Sequence, residues 1–349
     1  MSESTGLRTA CEPLHRILQE PVDPLNFSHY LQIIWADYTS ISILALLTVG
    51  IWIAPMYYVE CRVIPLWPSG SSIHDLRPPI LLDYPRIPEP LPSWSCGFVI
   101  ICVPLLVVSA FQIQTRRLWD LHTGVIGLLK AVLTTTFVVT ILKQFIGGFR
   151  PHFIDVCKPD MSRAFKEIGK ELYWLNATAC TGAPYDVKKS MQSFPSGHTA
   201  NSFAAATFIS LFLNAQLKVI ADQASTTWAL TATIAPLIGA SLISGSVYIS
   251  HQHHANDIVF GIIIGLSLGI LSFRSRYTTV LDFRYNHIPL PPHATYTTTF
   301  FTQALSWKAE DNVAEGSPAQ SVDMAGWSRC EETNQRTSWL RSTNRFKVK

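Results

Sequence analysis

Apolar residues in this chain are gathered into long runs, with polar residues crowded between them. A bilayer core takes about 20 mostly apolar residues per helix. Six runs answer to that length: near Tyr38–Val59, Cys96–Ile113, Gly124–Leu142, Thr199–Leu217, Thr227–Ile249 and Ile258–Phe273. The fourth and sixth are the weakest, being short or partly polar. A large soluble helical core is the alternative, but six runs between residues 38 and 273 argue against it. The pattern predicts an all-α integral membrane protein with six transmembrane helices.

Lys and Arg at span ends set the orientation. Arg116 and Arg117 lie between the second and third runs, and Arg274 and Arg276 follow the sixth. With six spans these segments fall on one side, expected to be cytoplasmic along with both termini. Segments 60–95, 143–198 and 250–257 then face the lumen or exterior. The organisation expected is a cytoplasmic segment 1–37, a six-span domain 38–275 and a mostly disordered cytoplasmic tail 276–349. The tail reading rests on stretches such as VAEGSPAQSVD, polar and poor in apolar residues. Prolines in PRIPEPLPSW predict extended chain in the first outer loop. No internal repeat is found. The chain lacks a secretory signal pattern, so the first span is expected to direct it to the membrane. An endomembrane such as the ER, Golgi or vacuole, or the plasma membrane, fits equally.

Composition narrows the picture. Of 349 residues 48% are hydrophobic and only 15% charged, against roughly 25% charged in soluble domains. A net charge of +3 without a basic, aromatic-rich block argues against nucleic acid. Seven cysteines without CxxC spacing argue against structural zinc. Cys157 and Cys180 share an outer loop and are either a disulfide or free thiols. Of two sequons, at Asn26 and Asn176, only Asn176 is on the outer side as a candidate for glycosylation.

Three polar clusters stand at outer span ends, where ionisable groups are costly and usually functional. In KQFIGGFRP, Lys143 and Arg150 are seven apart, two turns on a continued helix, although Pro151 disfavours helix at Arg150. Two such cations suit a phosphate, and interfacial snorkelling is the plainer reading. In FPSGHTANS, Ser196 and Gly197 open a helix whose N-terminus suits an anion, and His198 beside it is placed to give a proton to a leaving group. A simple capped helix is the alternative. In SGSVYISHQHHAND, His253 and Asp257 are four apart and share a face on a helical turn. The carboxylate would fix the tautomer and leave Nε2 as a nucleophile. His251 and His254 fall off that register, and a metal site built from the histidines is the other reading.

With Lys143-x6-Arg150-Pro151, then Pro195-Ser196-Gly197-His198, then Ser246-Val247-x5-His253-x3-Asp257, the chain resembles the type 2 phosphatidic acid phosphatase family. These are membrane lipid phosphate phosphatases related to vanadium haloperoxidases. The resemblance covers about residues 38–275. It implies a metal-independent phosphatase, without cofactor, acting on lipid phosphomonoesters such as phosphatidate through a phosphohistidine. Lys143, Arg150, Ser196 and Gly197 would bind phosphate, His198 would be the acid, His253 the nucleophile and Asp257 its orienting carboxylate. The partners implied are the lipid substrate and the surrounding lipids.

The departure is Val247, where the family has a phosphate-binding arginine. One such donor is typically worth about 10²–10³ in rate, so Val247→Arg is expected to raise activity on a simple lipid phosphate. His251, Lys188 and Lys189 are alternative cations, and the sequence does not choose among them. A prenyl or lipid diphosphate phosphatase, and a weakened lipid-phosphate-binding regulatory protein, are the competing readings. The haloperoxidase branch is disfavoured by the spans. Gly261, Gly265 and Gly269 recur every four residues, which fits close packing in the bundle; homo-oligomerisation is a weaker expectation. Lys130, inside the third run, either snorkels or finds a partner.

Overall fold

The computed structural model describes residues 27–54, 63–68, 76–115, 118–163, 165–166 and 173–290. Asn26, Arg116, Arg117 and most of the two terminal segments, on which parts of the topology and tail readings rest, lie outside the described residues. Residues 35–291 form a compact unit. The other unit gathers residues 1–34 and 292–349, of which the opening turns of α1 are described.

Among the described residues six long helices occur close to the predicted apolar runs: α1 (Phe27–Ile53), α2 (Ser93–Thr115), α3 (Leu118–Phe145), and, beyond a segment holding the short helices α4 (Phe153–Cys157) and α5 (Pro184–Ser190), α6 (Gly197–Leu217), α7 (Thr227–Ile249) and α8 (Ala255–Arg274). The first is displaced from its expected place. It begins at Phe27 and stops at Ile53, and residues 55–59 of the expected run lie outside the described residues. Helix α3 carries Asp120 in its first turn and Lys143 in its last, each opposing the local end of the helix dipole.

Five of the six are both long and apolar enough to cross a bilayer. Helix α6 is the exception. Its 21 residues suffice in length, about 31 Å at 1.5 Å per residue, but it carries Ser202, Thr207, Ser210 and Asn214, all buried. The physical reason is its place in the bundle, packed against α2, α3, α7 and α8. A helix surrounded by protein needs small and hydrogen-bonding side chains rather than lipid-soluble ones. The peripheral helices show the opposite pattern. Leu46, Leu106 and Leu242 are 72%, 69% and 70% exposed, a surface suited to lipid and not to water.

Glycine lets α8 lie directly on α6. A Cβ at Gly265 would stand 2.4 Å from Ala200 O, and one at Gly269 2.8 Å from Ala204 O. The stripe read from the sequence therefore packs inside the bundle. The aromatic core between α3, α6 and the end of α8 is built by Leu128, Phe208, Phe212, Phe273 and Tyr277. Lys130 finds a partner: its Nζ lies 2.9 Å from Asp37 Oδ1 on α1, and Arg276 Nη2 reaches the same oxygen at 2.6 Å.

The segments between α1 and α2 and between α3 and α6 form a cap that adds a small sheet to the helical bundle. A four-stranded sheet runs β2-β1-β4-β3, with β1 (Val63–Pro68), β2 (Leu76–Arg77), β3 (Phe165–Lys166) and β4 (Tyr173–Asn176). Strand β1, from the proline-dense loop, pairs antiparallel with β4, from the loop between α3 and α6, Val63 opposite Asn176. Proline gave extended chain there, as expected, but the pairing partner is 113 residues away and invisible to a local pattern. Ile64, Leu66, Leu175, Phe153, Cys157 and Met191 make the core of the cap. Cys157 and Cys180 are disulfide-bonded, with Cα atoms 4.6 Å apart, within the range such a bridge needs.

Candidate active site

The three polar clusters are brought together beneath the cap. Helix α3 ends at Phe145, so Lys143 and Arg150 do not share a continued helix. Gly147 (φ 55°) and Gly148 (φ 122°) turn the chain with left-handed backbone that other residues rarely adopt. The turn lets residues 147–150 run beside 190–194. Gly148 N donates to Met191 O (3.0 Å), Arg150 N to Ser190 O (2.8 Å) and Phe194 N to Gly147 O (3.1 Å). Both cations reach one cavity by this route rather than by helical register.

Ser196 is the N-cap of α6, its Oγ accepting weakly from Thr199 N at 3.5 Å. Its own N–H donates to Asp257 O (3.1 Å), which ties the start of α6 to the start of α8. His253 stands two residues ahead of α8, in a turn, so the helical face expected for His253 and Asp257 is not the geometry found. The two are close all the same, with His253 Nδ1 3.6 Å from Asp257 Oδ2. That is ion-pair range, beyond a hydrogen bond. Asp257 Oδ2 accepts instead from Ser193 Oγ (2.5 Å) and from His254 N (2.9 Å), so it also caps α8. His253 is 2% exposed, and burial holds its imidazole well below the usual histidine range, hence neutral.

The histidine cluster divides by partner. The His251 ring stacks on Tyr84, centroids 4.3 Å apart, and His254 Nε2 donates to Phe149 O at 3.1 Å. Among the described residues no group of three or more His, Cys, Asp and Glu is arranged to hold a metal.

Lys143, Arg150, Gly197, His198 and His253 line a cavity of about 850 Å³, together with Lys188 and Lys189. Ser196, Asp257 and Val247 of α7, the last 1% exposed, are not among the residues that line it. Lys143 Nζ donates to Gln192 O (2.7 Å) and Arg150 Nη1 to Gln252 Oε1 (2.7 Å). Arg150 Nε, His198 Nε2 and His253 Nδ1 are buried without a hydrogen-bond partner, a costly condition in a structural site and a common one where a ligand is bound. The cavity continues downward between helices. Trp52 and Ile53 of α1, Ile100 and Ile101 of α2, and Val132 and Leu133 of α3 line its apolar part. Val132 and Lys143 are eleven residues apart on α3, about 16 Å of helix.

Sequence reasoning missed three contributors. Glu89, in the proline-dense loop, lies 3.1 Å from Lys189 Nζ and 3.8 Å from Arg150 Nη1. Burial works to raise its carboxyl, and Lys189, His198 and Arg150 outweigh that, holding it below the usual carboxylate range. Gln252 and Ser193 are neighbours of motif residues, and nothing in their type marked them.

Fold and site together define a multi-pass helical membrane protein with a cation- and imidazole-lined cavity that opens between apolar helices. Residues 124–280 match the PAP2 superfamily. Lipid phosphate phosphatase 1 of Arabidopsis thaliana is 34% identical over 197 residues, 56% of this chain and 58% of that protein. Lipid phosphate phosphatase 2 of the same plant is 33% identical over 55% of this chain and 64% of its own length. Diacylglycerol pyrophosphate phosphatase 1 of Saccharomyces cerevisiae is 26% identical over 56% of this chain and 64% of its length. The chain thus spans about three fifths of the length of the plant relatives it matches. No solved structure matches it.

Proposed function

We propose that this protein is a membrane phosphatase that hydrolyses lipid phosphomonoesters such as phosphatidate at the luminal or outer face. The observation that carries the reading is the two-part cavity. Cations and two imidazoles gather at one end, and an apolar channel between α1, α2 and α3 runs from the other. The head would bind through Lys143, Arg150 and the N–H groups at the start of α6, where the helix dipole adds attraction. The acyl chains would lie in the apolar part and reach the bilayer.

In the reaction, His253 Nε2 attacks phosphorus and the ester P–O bond breaks. His198 gives its proton to the departing oxygen, releasing the lipid alcohol. Water then attacks the phosphohistidine while His198 takes back a proton, and inorganic phosphate leaves. A bound phosphate dianion favours the protonated His198 that the first step requires. Asp257 holds the segment that carries His253 and favours the positive charge developing on it. Neither step calls on a metal.

Lys188 and Lys189 on the same wall favour a second reading, a lipid diphosphate substrate, since a second phosphate would find two further cations. Relatives named as diacylglycerol pyrophosphate phosphatases are consistent with it. A binding protein without turnover is the alternative of another class. The test is phosphate release from phosphatidate and a prenyl diphosphate in detergent, with EDTA, for wild type, His253→Ala and His198→Ala. Release by the wild type with EDTA present, lost in His253→Ala and cut about 10²–10⁴-fold in His198→Ala, is expected. Loss of activity with EDTA would sink the metal-free chemistry, and no release at all would favour the binding protein. Glycosylation of Asn176 in cells tests the orientation.

A further inference from the structure

The carboxylate of Glu89 stands where two cations of the cavity meet. One oxygen, Oε1, faces Lys189 Nζ at 3.1 Å and Arg150 Nη1 at 3.8 Å. The loop that carries Glu89 is fixed on both sides of the site. Gln252 Nε2 donates to Ile87 O (2.9 Å), Arg86 N donates to Asp155 Oδ2 (2.8 Å), and Arg86 pairs with Asp186 through both terminal nitrogens. Glu89 is thus a tethered anion facing two cations of the cavity wall, and Arg150 Nε has no hydrogen-bond partner. Lys189 is 41% exposed along its side chain, enough freedom to turn from one oxygen to another.

We infer that Lys189 is a phosphate-binding residue of this site, supplying the positive charge that Val247 does not, and that Glu89 competes with the phosphate for Lys189 and Arg150. The inference rests on the phosphatase reading for its substrate but not for its test. Both groups act on the same oxygens: in the absence of phosphate the carboxylate neutralises the two cations, and a phosphate dianion, with more charge and more acceptors, replaces it. An arginine at position 247 would then add a charge the site already holds, so Val247→Arg is expected to raise activity only modestly.

The geometry makes a prediction that a merely structural Lys189–Glu89 pair does not. Removing either partner breaks the same pair, yet the two losses should shift phosphate affinity in opposite directions. The experiment is binding of inorganic phosphate to the full chain in detergent, by titration calorimetry. Lys189→Ala is expected to weaken binding about tenfold or more, the worth of a charge-assisted hydrogen bond. Lys189→Arg should retain wild-type affinity, Glu89→Gln should bind more tightly, and Arg163→Ala, a surface cation, should match the wild type. Equal weakening by Lys189→Ala and Glu89→Gln, no change in Lys189→Ala, or no phosphate binding by the wild type would each overturn the inference. Hydrolysis is measured separately. A wild type that binds phosphate with this pattern but releases none from lipids refutes the phosphatase reading alone.

Discussion

Replacing Gly265 by alanine adds one methyl group at the contact between α6 and α8. That Cβ would stand 2.4 Å from Ala200 O and 2.8 Å from Phe203 Cβ, where ordinary contact begins at 3.4 Å. Ala200 O belongs to helix backbone and cannot swing aside, so the helices must part by about 1 Å at this level. Overpacking of this kind costs about 1–3 kcal/mol, or roughly 2–10 °C in Tm for a domain of this size. The functional cost should be larger. Helix α6 begins with Ser196, Gly197 and His198, and α8 begins beside His253 and contains Asp257, so the separation falls between proposed acid and nucleophile. A misplacement of about 1 Å can cost about 10²-fold in rate. The assay is phosphate release from a short-chain lipid phosphate, with thermal unfolding of the same detergent-solubilised protein. Gly239→Ala on α7 is the control, because no atom lies within 4 Å of its Cβ position. Should Gly265→Ala match Gly239→Ala in both rate and Tm, the close approach of α6 and α8 would not be what positions the site.

Asp37→Asn should destabilise the bundle by about 3–5 kcal/mol, because Lys130 and Arg276 lose their shared buried carboxylate; thermal unfolding in detergent reads it, and an unchanged Tm refutes the pairing. Cys157→Ser should remove a bridge spanning 23 residues, costing about 2–4 kcal/mol, and should abolish the mobility difference between reduced and non-reduced protein on a gel. Burial depresses His253, so the acid limb of kcat/KM attributable to the nucleophile should fall below the ordinary histidine value of about 6.5; a limb centred at or above that value contradicts a buried neutral imidazole. His152, also depressed by burial, donates from Nδ1 to His251 O. With its folded pKa below the unfolded one, its contribution to stability is present above about pH 6.5 and lost as pH falls through the folded value, so His152→Gln should flatten the decline of Tm between about pH 7 and 5.

What the sequence made legible was local. Helix α7 has the bounds its apolar run suggests, and Ser196 caps α6 as its residue type predicts. The three clusters were recognised as belonging together, and Lys143, Arg150, His198 and His253 do line one cavity. How they converge was not legible. Lys143 and Arg150 meet through a left-handed glycine turn paired with residues 190–194, and Asp257 reaches its partners from a helix cap. Glu89 was beyond reach because its contacts span 61 and 100 residues, and a carboxylate between prolines in an extended loop has no local signature. The sheet was hidden for the same reason.

Helix α6 bears on how the chain enters the membrane. A helix inserted singly must satisfy lipid along its whole surface; α6, with Asn201, Ser202, Ser210 and Asn214, suits that poorly. Its neighbours cover it instead: Thr136 of α3 donates to Asn201 Oδ1, and the glycines of α8 close over its backbone. Insertion of α6 is therefore expected to draw on the helices made before it, α2 and α3, and to be completed by α7 and α8, against which it packs most closely. A nascent chain halted at Leu217 would hold a helix covered on the side of α2 and α3 alone, and the emergence of α7 and α8 would cover the rest, so that biogenesis of the membrane domain and assembly of its cavity would be completed together.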